Sequence, residues 1–235
     1  QFAWGALVNG ALALAALAAR GVGRSGAIWG WVLGTALFGL AGWRGFLMLL
    51  VFFVLGTATT KCGYAKKAAL GIAQDRGGRR GARNAFANVS AGLIFAFLAV
   101  STGHPALMTV AMAAAFATAT CDTVSSEIGQ AYGRRHYLIT TFRRVRPGTD
   151  GAVSLEGTLS GWVGAALVAA VARGVGLVDL PGAAAVLVGA IAGATFESYL
   201  DAATHGRLRL DNELVNFLNT LVGGLAGAAL YAFLS

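Results

Sequence analysis

Basic residues alternate with long apolar blocks along this chain, and this alternation limits the fold more than any other feature. Of the 18 Lys and Arg residues, all but Arg44 and Arg173 lie in the first, third, fifth and seventh connections between the blocks. The positive-inside rule predicts this split when the odd connections are cytoplasmic or stromal. The eight blocks have about the length that crosses a bilayer. They cover 2–19, 26–42, 45–60, 85–101, 105–121, 153–172, 181–203 and 213–234.

Composition supports the same interpretation. The chain is 57% hydrophobic and 12% charged, whereas a soluble domain has about 25% charged residues. We therefore predict an all-α, polytopic transmembrane helix bundle of about eight spans, with seven as the alternative. It would be a single transmembrane domain over 1–235, with basic loops at 61–84 and 128–152. Segment 2–19 lacks a basic leader, so it is interpreted as a span and not as a cleavable signal peptide.

Acidic residues fall at the basic end of the predicted bundle. Nine of the ten map there, and Asp179 is the exception. Asp122 and Glu127 follow an apolar helix, and intramembrane carboxylates are costly and usually functional. They are five residues apart and would point about 140° apart on a regular helix, so they share one metal only if the helix loosens. Glu156, at the start of the sixth segment, and Glu197, near the end of the seventh, are further acidic candidates. A structural ion pair is the alternative for Asp122.

The first basic loop has the composition of a phosphate site. Its centre, 77–84, alternates flexible glycines with arginines, which bind phosphates in a bidentate manner. The loop then enters the fourth segment, where free N–H groups favour an anion, and Asn84 and Asn88 share one face of that segment. Topogenic charge is the alternative for the arginines. Asn212, Asn216 and Asn219 form a stripe on one face of the eighth segment. It could line the polar pocket or, as the alternative, only hold helices together.

Carboxylates and arginines at one membrane face are suited to a nucleotide with Mg²⁺. The metal takes one or two carboxylates plus phosphate oxygens, and basic groups neutralise the remaining charge. The sequence therefore predicts an enzyme that uses a nucleotide to modify the phosphorylated or hydroxylated head of a membrane lipid. A chain of charged residues across the bilayer is missing from the sequence, and so is an internal repeat, which argues against a pump, channel or secondary transporter.

Several short motifs are distributed along the basic loops and the adjoining helix ends, namely Thr60-Lys61 with Lys66-Lys67 and 71–73, Gly78-Arg79-Arg80-Gly81, 119–129, Ile139-Thr140-Thr141, 147–151 and 154–158. These motifs resemble the integral-membrane phytyl-phosphate kinase family of tocopherol and prenylquinone biosynthesis, formerly catalogued as membrane proteins of unknown function. The resemblance covers about 45–225 and is strongest over 118–160. It implies that a nucleoside triphosphate, with CTP as the family expectation, phosphorylates phytyl phosphate, and that geranylgeranyl phosphate is a second substrate. It also implies a plastid membrane or a cyanobacterial-type or prokaryotic inner membrane.

The resemblance also implies roles for individual residues, and Arg83, Asn88 and Arg143 are added from the loop and helix patterns. Catalysis is expected from Asp122, Glu127, Lys61 and Arg80. Mg²⁺ is expected at Asp122, Glu127, Glu156 and Glu197. Nucleotide and phosphate binding is expected from Arg79, Arg83, Asn84, Asn88, Ser126, Thr140, Thr141, Arg143, Gly148, Thr149 and Asn216. Asp201 stands where relatives often have a small residue, which leaves its role open.

Other functions are compatible with the same pattern. A CTP-dependent polyprenol kinase or a nucleotidyltransferase that makes a CDP-lipid would use a similar pocket, and a lipid-phosphate or anion transporter is the non-enzyme alternative. The expected partners are the lipid-tailed monophosphate, the nucleoside triphosphate and the bilayer. Nucleic acid is not expected as a partner, and the Gly- and Ala-rich helix faces are compatible with a homodimer.

Overall fold

The protein is a bundle of apolar helices, seen here in a computed structural model that describes residues 1–79, 81–204 and 211–235. A small sheet formed by β1 (His136–Leu138), β2 (Arg144–Val145) and β3 (Ala152–Val153) connects two of the helices. The helices are α1 (Phe2–Ala18), α2 (Arg24–Lys61), α3 (Tyr64–Ala69), α4 (Asp75–Gly78), α5 (Ala82–Ser101), α6 (Pro105–Tyr132), α7 (Leu155–Gly174), α8 (Leu180–Thr204) and α9 (Asn212–Leu234).

Six helices in the described part of the chain are long and apolar enough to cross a membrane, namely α2 and α5 to α9. Helix α2 folds back on itself at Gly42, whose φ of 65° and ψ of −172° are not helical. A Cβ added at Gly34 would lie 3.3 Å from the ring of Phe46, although a straight helix would separate these residues by about 18 Å. With α1 and the two limbs of α2, every apolar segment predicted from the sequence is helical, which confirms a polytopic bundle.

Helix α6 lies at the centre of the bundle and contacts α2, α5, α7, α8 and α9. Its residues from Val110 to Cys121 are all buried. Half of them are alanines, and small side chains allow neighbouring helices to approach closely when lipid supplies no hydrophobic driving force. The apolar core is therefore built around one Ala-rich helix that ends in the polar segment containing Asp122 and Glu127.

Helices α8 and α9 pack through glycines. A Cβ added at Gly189 would lie 2.6 Å from the carbonyl oxygen of Gly223, and one at Gly193 would lie 2.6 Å from that of Asn219. These distances are too short for a side chain, so the two backbones touch directly. This contact brings the end of α8, with Glu197 and Asp201, next to the start of α9.

The first, third and fifth connections meet at one end of the bundle, which we call the basic end. Lys61 Nζ donates to the carbonyl of Ala19 at 3.2 Å, and Lys66 Nζ donates to that of Ala131 at 2.5 Å. At the opposite end, Arg44 Nη1 donates to the carbonyl of Gly176 at 3.3 Å. The charge alternation of the sequence thus corresponds to the spatial grouping of the loops.

The three strands lie within the basic loop between α6 and α7. Strand β1 pairs antiparallel with both neighbours, which gives the order β2-β1-β3. Gly151 precedes β3 with a φ of 72°, and a Cβ there would lie 2.6 Å from the Cα of Ala202. This close approach places the loop against the end of α8. The sequence predicted a basic loop here but not a sheet.

Candidate active site

A polar cavity of about 570 Å³ opens at the basic end. Helices α5 to α9 and the loop from Gly148 to Val153 surround it. Its carboxylates come from Asp122, Glu127, Asp150, Glu197 and Asp201. A cavity of this size and polarity, at the end of an apolar bundle, is the default binding site of the molecule.

One wall of the cavity is acidic. Glu197 is buried with only 8% of its surface exposed, Asn219 Nδ2 donates a hydrogen bond to its Oε2, and its carboxyl group lies within hydrogen-bonding reach of Asp122. Asp201 lies one helical turn beyond Glu197 and interacts electrostatically with Asp122 and Asp150. Buried carboxylates this close repel each other unless a proton or a cation lies between them.

This wall offers few direct metal ligands. Within residues 1–79, 81–204 and 211–235, no three His, Cys, Asp or Glu side chains are close enough together to hold a metal ion. Mg²⁺, however, is often bound through one or two carboxylates, with its other ligands supplied by water and substrate phosphates. The two carboxylates of Asp122 and Glu197 are compatible with Mg²⁺ binding of this kind, in which the protein supplies only part of the coordination shell.

Glu127 is engaged elsewhere. Its Oε2 forms an ion pair with Lys67 Nζ, which also donates to the carbonyl of Thr60 at 3.1 Å. Lys67 is completely buried and Glu127 is 4% exposed. Helix α6 continues without interruption past both acidic residues, so Asp122 faces α8 while Glu127 faces α3. The condition for a shared metal, a loosened helix, is therefore not met.

The second oxygen of Glu127, Oε1, is buried and has no hydrogen-bond partner among the described residues, and the same holds for Oδ1 of Asn88. Both residues line the cavity. A buried acceptor without a partner is costly, so these two oxygens mark a position where a ligand donor group or an ordered water would be stabilised.

The predicted phosphate-binding residues are divided between the cavity and its surroundings. Those that line the cavity are Asn84, Asn88, Ser126, Gly148, Thr149 and Asn216. The described residues Lys61, Arg79, Arg83, Arg143, Thr140 and Thr141 are not part of its lining. Arg80 lies outside the described residues.

The predicted basic residues point to other partners or to solvent. Arg83 is 72% exposed in its side chain and pairs with Asp211 at 2.6 Å and Glu213 at 3.2 Å. Lys61 donates to the carbonyl of Ala19, and Arg143 is exposed in the turn after β1. The predicted arginines that the structure describes therefore lie around the basic end and do not form a clamp inside the cavity.

Glu156, predicted as a metal ligand, lies away from the acidic wall. It occupies the first turn of α7, where the helix dipole stabilises a negative charge. Its Oε1 lies 3.9 Å from Arg134 Nε, and the glutamate side chain is 34% exposed. Glu156 does not line the cavity, so the structure groups Asp122 with Glu197 and Asp201 instead.

Three residues of this region were not among the site residues predicted from the sequence, namely Lys67, Asp150 and Asn219. Lys67 could have been found, because the lone carboxylate of Glu127, on the other side of α6 from Asp122, requires a cationic partner. Asn219 belongs to the asparagine stripe of α9 (Asn212, Asn216 and Asn219), for which the sequence also allowed a purely structural role in helix packing. Asp150 follows the Pro-Gly turn, and nothing local in the sequence shows that this turn folds against α8.

Comparisons with known proteins agree with this architecture. The sequence profile described as "Integral membrane protein DUF92" matches residues 7–224. An uncharacterized membrane protein of Synechocystis sp. is 39% identical, over 82% of this chain and 76% of its own length. Protein VTE6, chloroplastic, of Arabidopsis thaliana is 36% identical, over 93% of this chain and 68% of its own. An uncharacterized membrane protein of Methanocaldococcus jannaschii is 34% identical, over 95% and 91%. No solved structure matches the chain.

Proposed function

Since this chain belongs to the DUF92 family of integral membrane proteins and its motifs resemble those of the phytyl-phosphate kinases, we propose that it is a lipid monophosphate kinase. The acceptor is phytyl phosphate, with geranylgeranyl phosphate as a second substrate. The donor is a nucleoside triphosphate, CTP by the family expectation. The product is the prenyl diphosphate used in tocopherol and prenylquinone synthesis.

The observation that carries this proposal is the polar, partly acidic cavity at the basic end of an otherwise apolar bundle. A lipid substrate reaches such a site from the bilayer, and a nucleotide reaches it from the aqueous side. The arginines around the basic end raise the local concentration of both anionic ligands. The motifs that resemble the phytyl-phosphate kinases support the same substrate class, and the similarity to VTE6, chloroplastic, covers 93% of this chain.

In the proposed reaction an oxygen of the acceptor phosphate attacks the γ-phosphorus of the nucleotide. A new P–O–P bond forms, the bond to the β–γ bridging oxygen breaks, and the nucleoside diphosphate leaves with that oxygen. A phosphate monoester is already anionic at neutral pH, so no strong general base is needed. The protein acts by positioning both phosphates and balancing their charge.

Asp122 and Glu197 are proposed to hold Mg²⁺, which would neutralise the phosphates during transfer. Asn219 fixes the orientation of Glu197 through its hydrogen bond. Asn88, Ser126, Thr149 and the backbone at Gly148 supply polar contacts to the nucleotide or the acceptor. Glu127, paired with Lys67, positions the C-terminal part of α6, and its Oε1 is an unpaired acceptor at the edge of the site.

The direct test incubates the purified full chain with Mg²⁺, phytyl phosphate and each of the four common nucleoside triphosphates. We expect phytyl diphosphate and a nucleoside diphosphate, both detected by mass spectrometry. Pyrophosphate with a CDP-lipid would indicate a nucleotidyltransferase, and phosphorylation of free phytol would indicate a polyprenol kinase. Phosphate flux into proteoliposomes without nucleotide consumption would indicate a transporter. Failure to form the diphosphate with any donor contradicts the proposal.

The membrane context is proposed from the same evidence. Relatives occur in a cyanobacterium, in an archaeon and, under a name that includes "chloroplastic", in a plant. We propose that the basic end faces the cytoplasm or stroma, following the positive-inside rule.

A further inference from the structure

A second, apolar cavity lies beside the polar one, and we call it the α1–α2 groove. Its walls include Leu12 and Ala16 of α1, Gly30 and Leu33 of the first limb of α2, and Leu50 and Phe53 of the second limb. The described residues that line it include no charged side chain, and its only polar side chains are Asn9 and Asn84. The amide of Asn9 already donates to the carbonyl of Gly5.

The two cavities meet at the first turns of α5. Asn84 lines both of them, and Gly81 and Ala85 line the groove beside it. A substrate with its phosphate in the polar cavity would therefore have to pass beside Asn84 for its hydrocarbon chain to enter the groove. On the α2 side the groove runs from Gly26 to Leu33, which is about 10 Å along the helix.

Gly30 keeps the groove open. A Cβ added there would meet no atom within 4 Å, in contrast to the glycines that pack α8 against α9. A larger side chain at this position would occupy the groove without displacing the backbone of another helix.

We infer that the α1–α2 groove binds the part of the prenyl chain closest to the phosphate in the lipid monophosphate substrate. This inference rests on the proposed function. The groove adjoins the polar cavity at Asn84, its wall is apolar, and its α2 side is about 10 Å long, which corresponds to about two isoprene units. The remainder of the chain extends into the bilayer. The groove thus selects acceptors that have a hydrocarbon chain behind the phosphate.

The first test uses two acceptors, phytyl monophosphate and the single-unit dimethylallyl monophosphate, with the full chain in lipid nanodiscs. Gly30→Phe should lower kcat/KM for phytyl monophosphate by about tenfold or more, as expected when hydrocarbon contacts in a pocket are lost. The value for dimethylallyl monophosphate should change little. Gly174→Phe is the matched control, since Gly174 also has no atom within 4 Å of an added Cβ and lies outside both cavities. Unchanged kinetics of Gly30→Phe with the long substrate would overturn the inference.

The second test does not depend on turnover. A phytyl monophosphate analogue with a diazirine on its first isoprene units is irradiated with the wild-type protein in nanodiscs, and the modified peptides are sequenced. We expect modification of α1 and α2 near Leu12, Leu50 or Phe53. Modification confined to α7, α8 or α9, or none at all, would overturn the inference. If the groove is labelled but no nucleotide phosphorylates any acceptor, the proposed function fails while the binding site stands.

Discussion

Two glutamates at the basic end have opposite surroundings, and this contrast gives the clearest prediction for a single residue. Glu197 is buried beside Asp122 and is held by Asn219. Glu156 faces Arg134 from the surface. If Glu197 holds the metal, Glu197→Gln should lower kcat by about 100-fold or more, the usual cost of removing a charge-stabilising group. Glu156→Gln should have little effect. Steady-state kinetics with phytyl phosphate measures both.

The isosteric Asp122→Asn variant should behave like Glu197→Gln, because the two carboxylates are proposed to act on the same phosphates. Its kcat should recover partly at higher Mg²⁺ concentrations if it has lost metal affinity only. The opposite ranking, with Glu156→Gln inactive and Glu197→Gln active, would remove the acidic wall from the mechanism.

The ion pair between Lys67 and Glu127 predicts a stability effect. Lys67→Met leaves the buried Glu127 without a counterion, which typically costs about 3–5 kcal/mol. For a chain of this size we expect the Tm to fall by about 6–20 °C. The double variant Lys67→Met/Glu127→Gln should recover much of this loss, since it removes both charges. Thermal unfolding in detergent measures all three proteins.

Lys66 supplies the matched control for that prediction. It is the neighbouring lysine on α3, but it is exposed, and its contacts with described residues are to the backbone carbonyl of Ala131 and the ring of Tyr132, not to a carboxylate. Lys66→Met should change the Tm by about 2 °C or less. Equal losses for the two lysines would show that the buried pair is not the source of the effect.

At the scale of helices, the contact between α8 and α9 predicts a strict size limit. The Cβ in Gly189→Ala would lie 2.6 Å from the oxygen of Gly223 and 2.8 Å from the nitrogen of Gly227. The helices would have to separate, at a cost of about 1–3 kcal/mol, and Glu197 would move away from Asn219. We expect a lower Tm and a lower kcat together. Gly174→Ala, in open space at the end of α7, should leave both unchanged.

The helices themselves could be predicted from the sequence, because span length and apolar composition are local properties. Ser154 was predictable as the start of α7, and its Oγ accepts from Gly157 N at 3.2 Å. The reversal at Gly42 was anticipated as a break between two segments. What local patterns could not show is which side chains meet. Glu197 and Asn219 are 22 residues apart in sequence, and they meet because glycines allow α8 and α9 to pack closely. Lys67 and Glu127 are 60 residues apart.

The role of the arginines was the least predictable part of the site. Their number and spacing reflect topology as well as ligand binding, and sequence alone does not separate the two. In the structure Arg83 pairs with Asp211 and Glu213 at the surface. The polar residues that line the cavity are mostly amides, hydroxyls and carboxylates on α5, α6, α8 and α9.

For the molecule as a whole, the loop arrangement predicts a labelling pattern. Cys62 is exposed and Cys121 is buried, so a Cys62→Ala background is sufficient. In intact bacterial cells, a membrane-impermeant maleimide should label the Gly103→Cys variant directly. It should label the Arg144→Cys variant only after permeabilisation, because Arg144 belongs to the basic end. Gly103 is a suitable site because an added Cβ meets no atom within 4 Å. The reverse pattern would contradict the orientation.

The Ala-rich stretch of α6 has a consequence for where the product goes. From Val110 to Ala117 every side chain of α6 is apolar and at most 2% exposed. This stretch forms an apolar, buried layer about 10 Å thick between the cavity and the opposite end of the bundle. A diphosphate cannot cross such a layer without a large desolvation cost. A diphosphate formed by the proposed reaction would therefore leave the protein at the basic end, and an enzyme that consumes it would have to act from that side of the membrane.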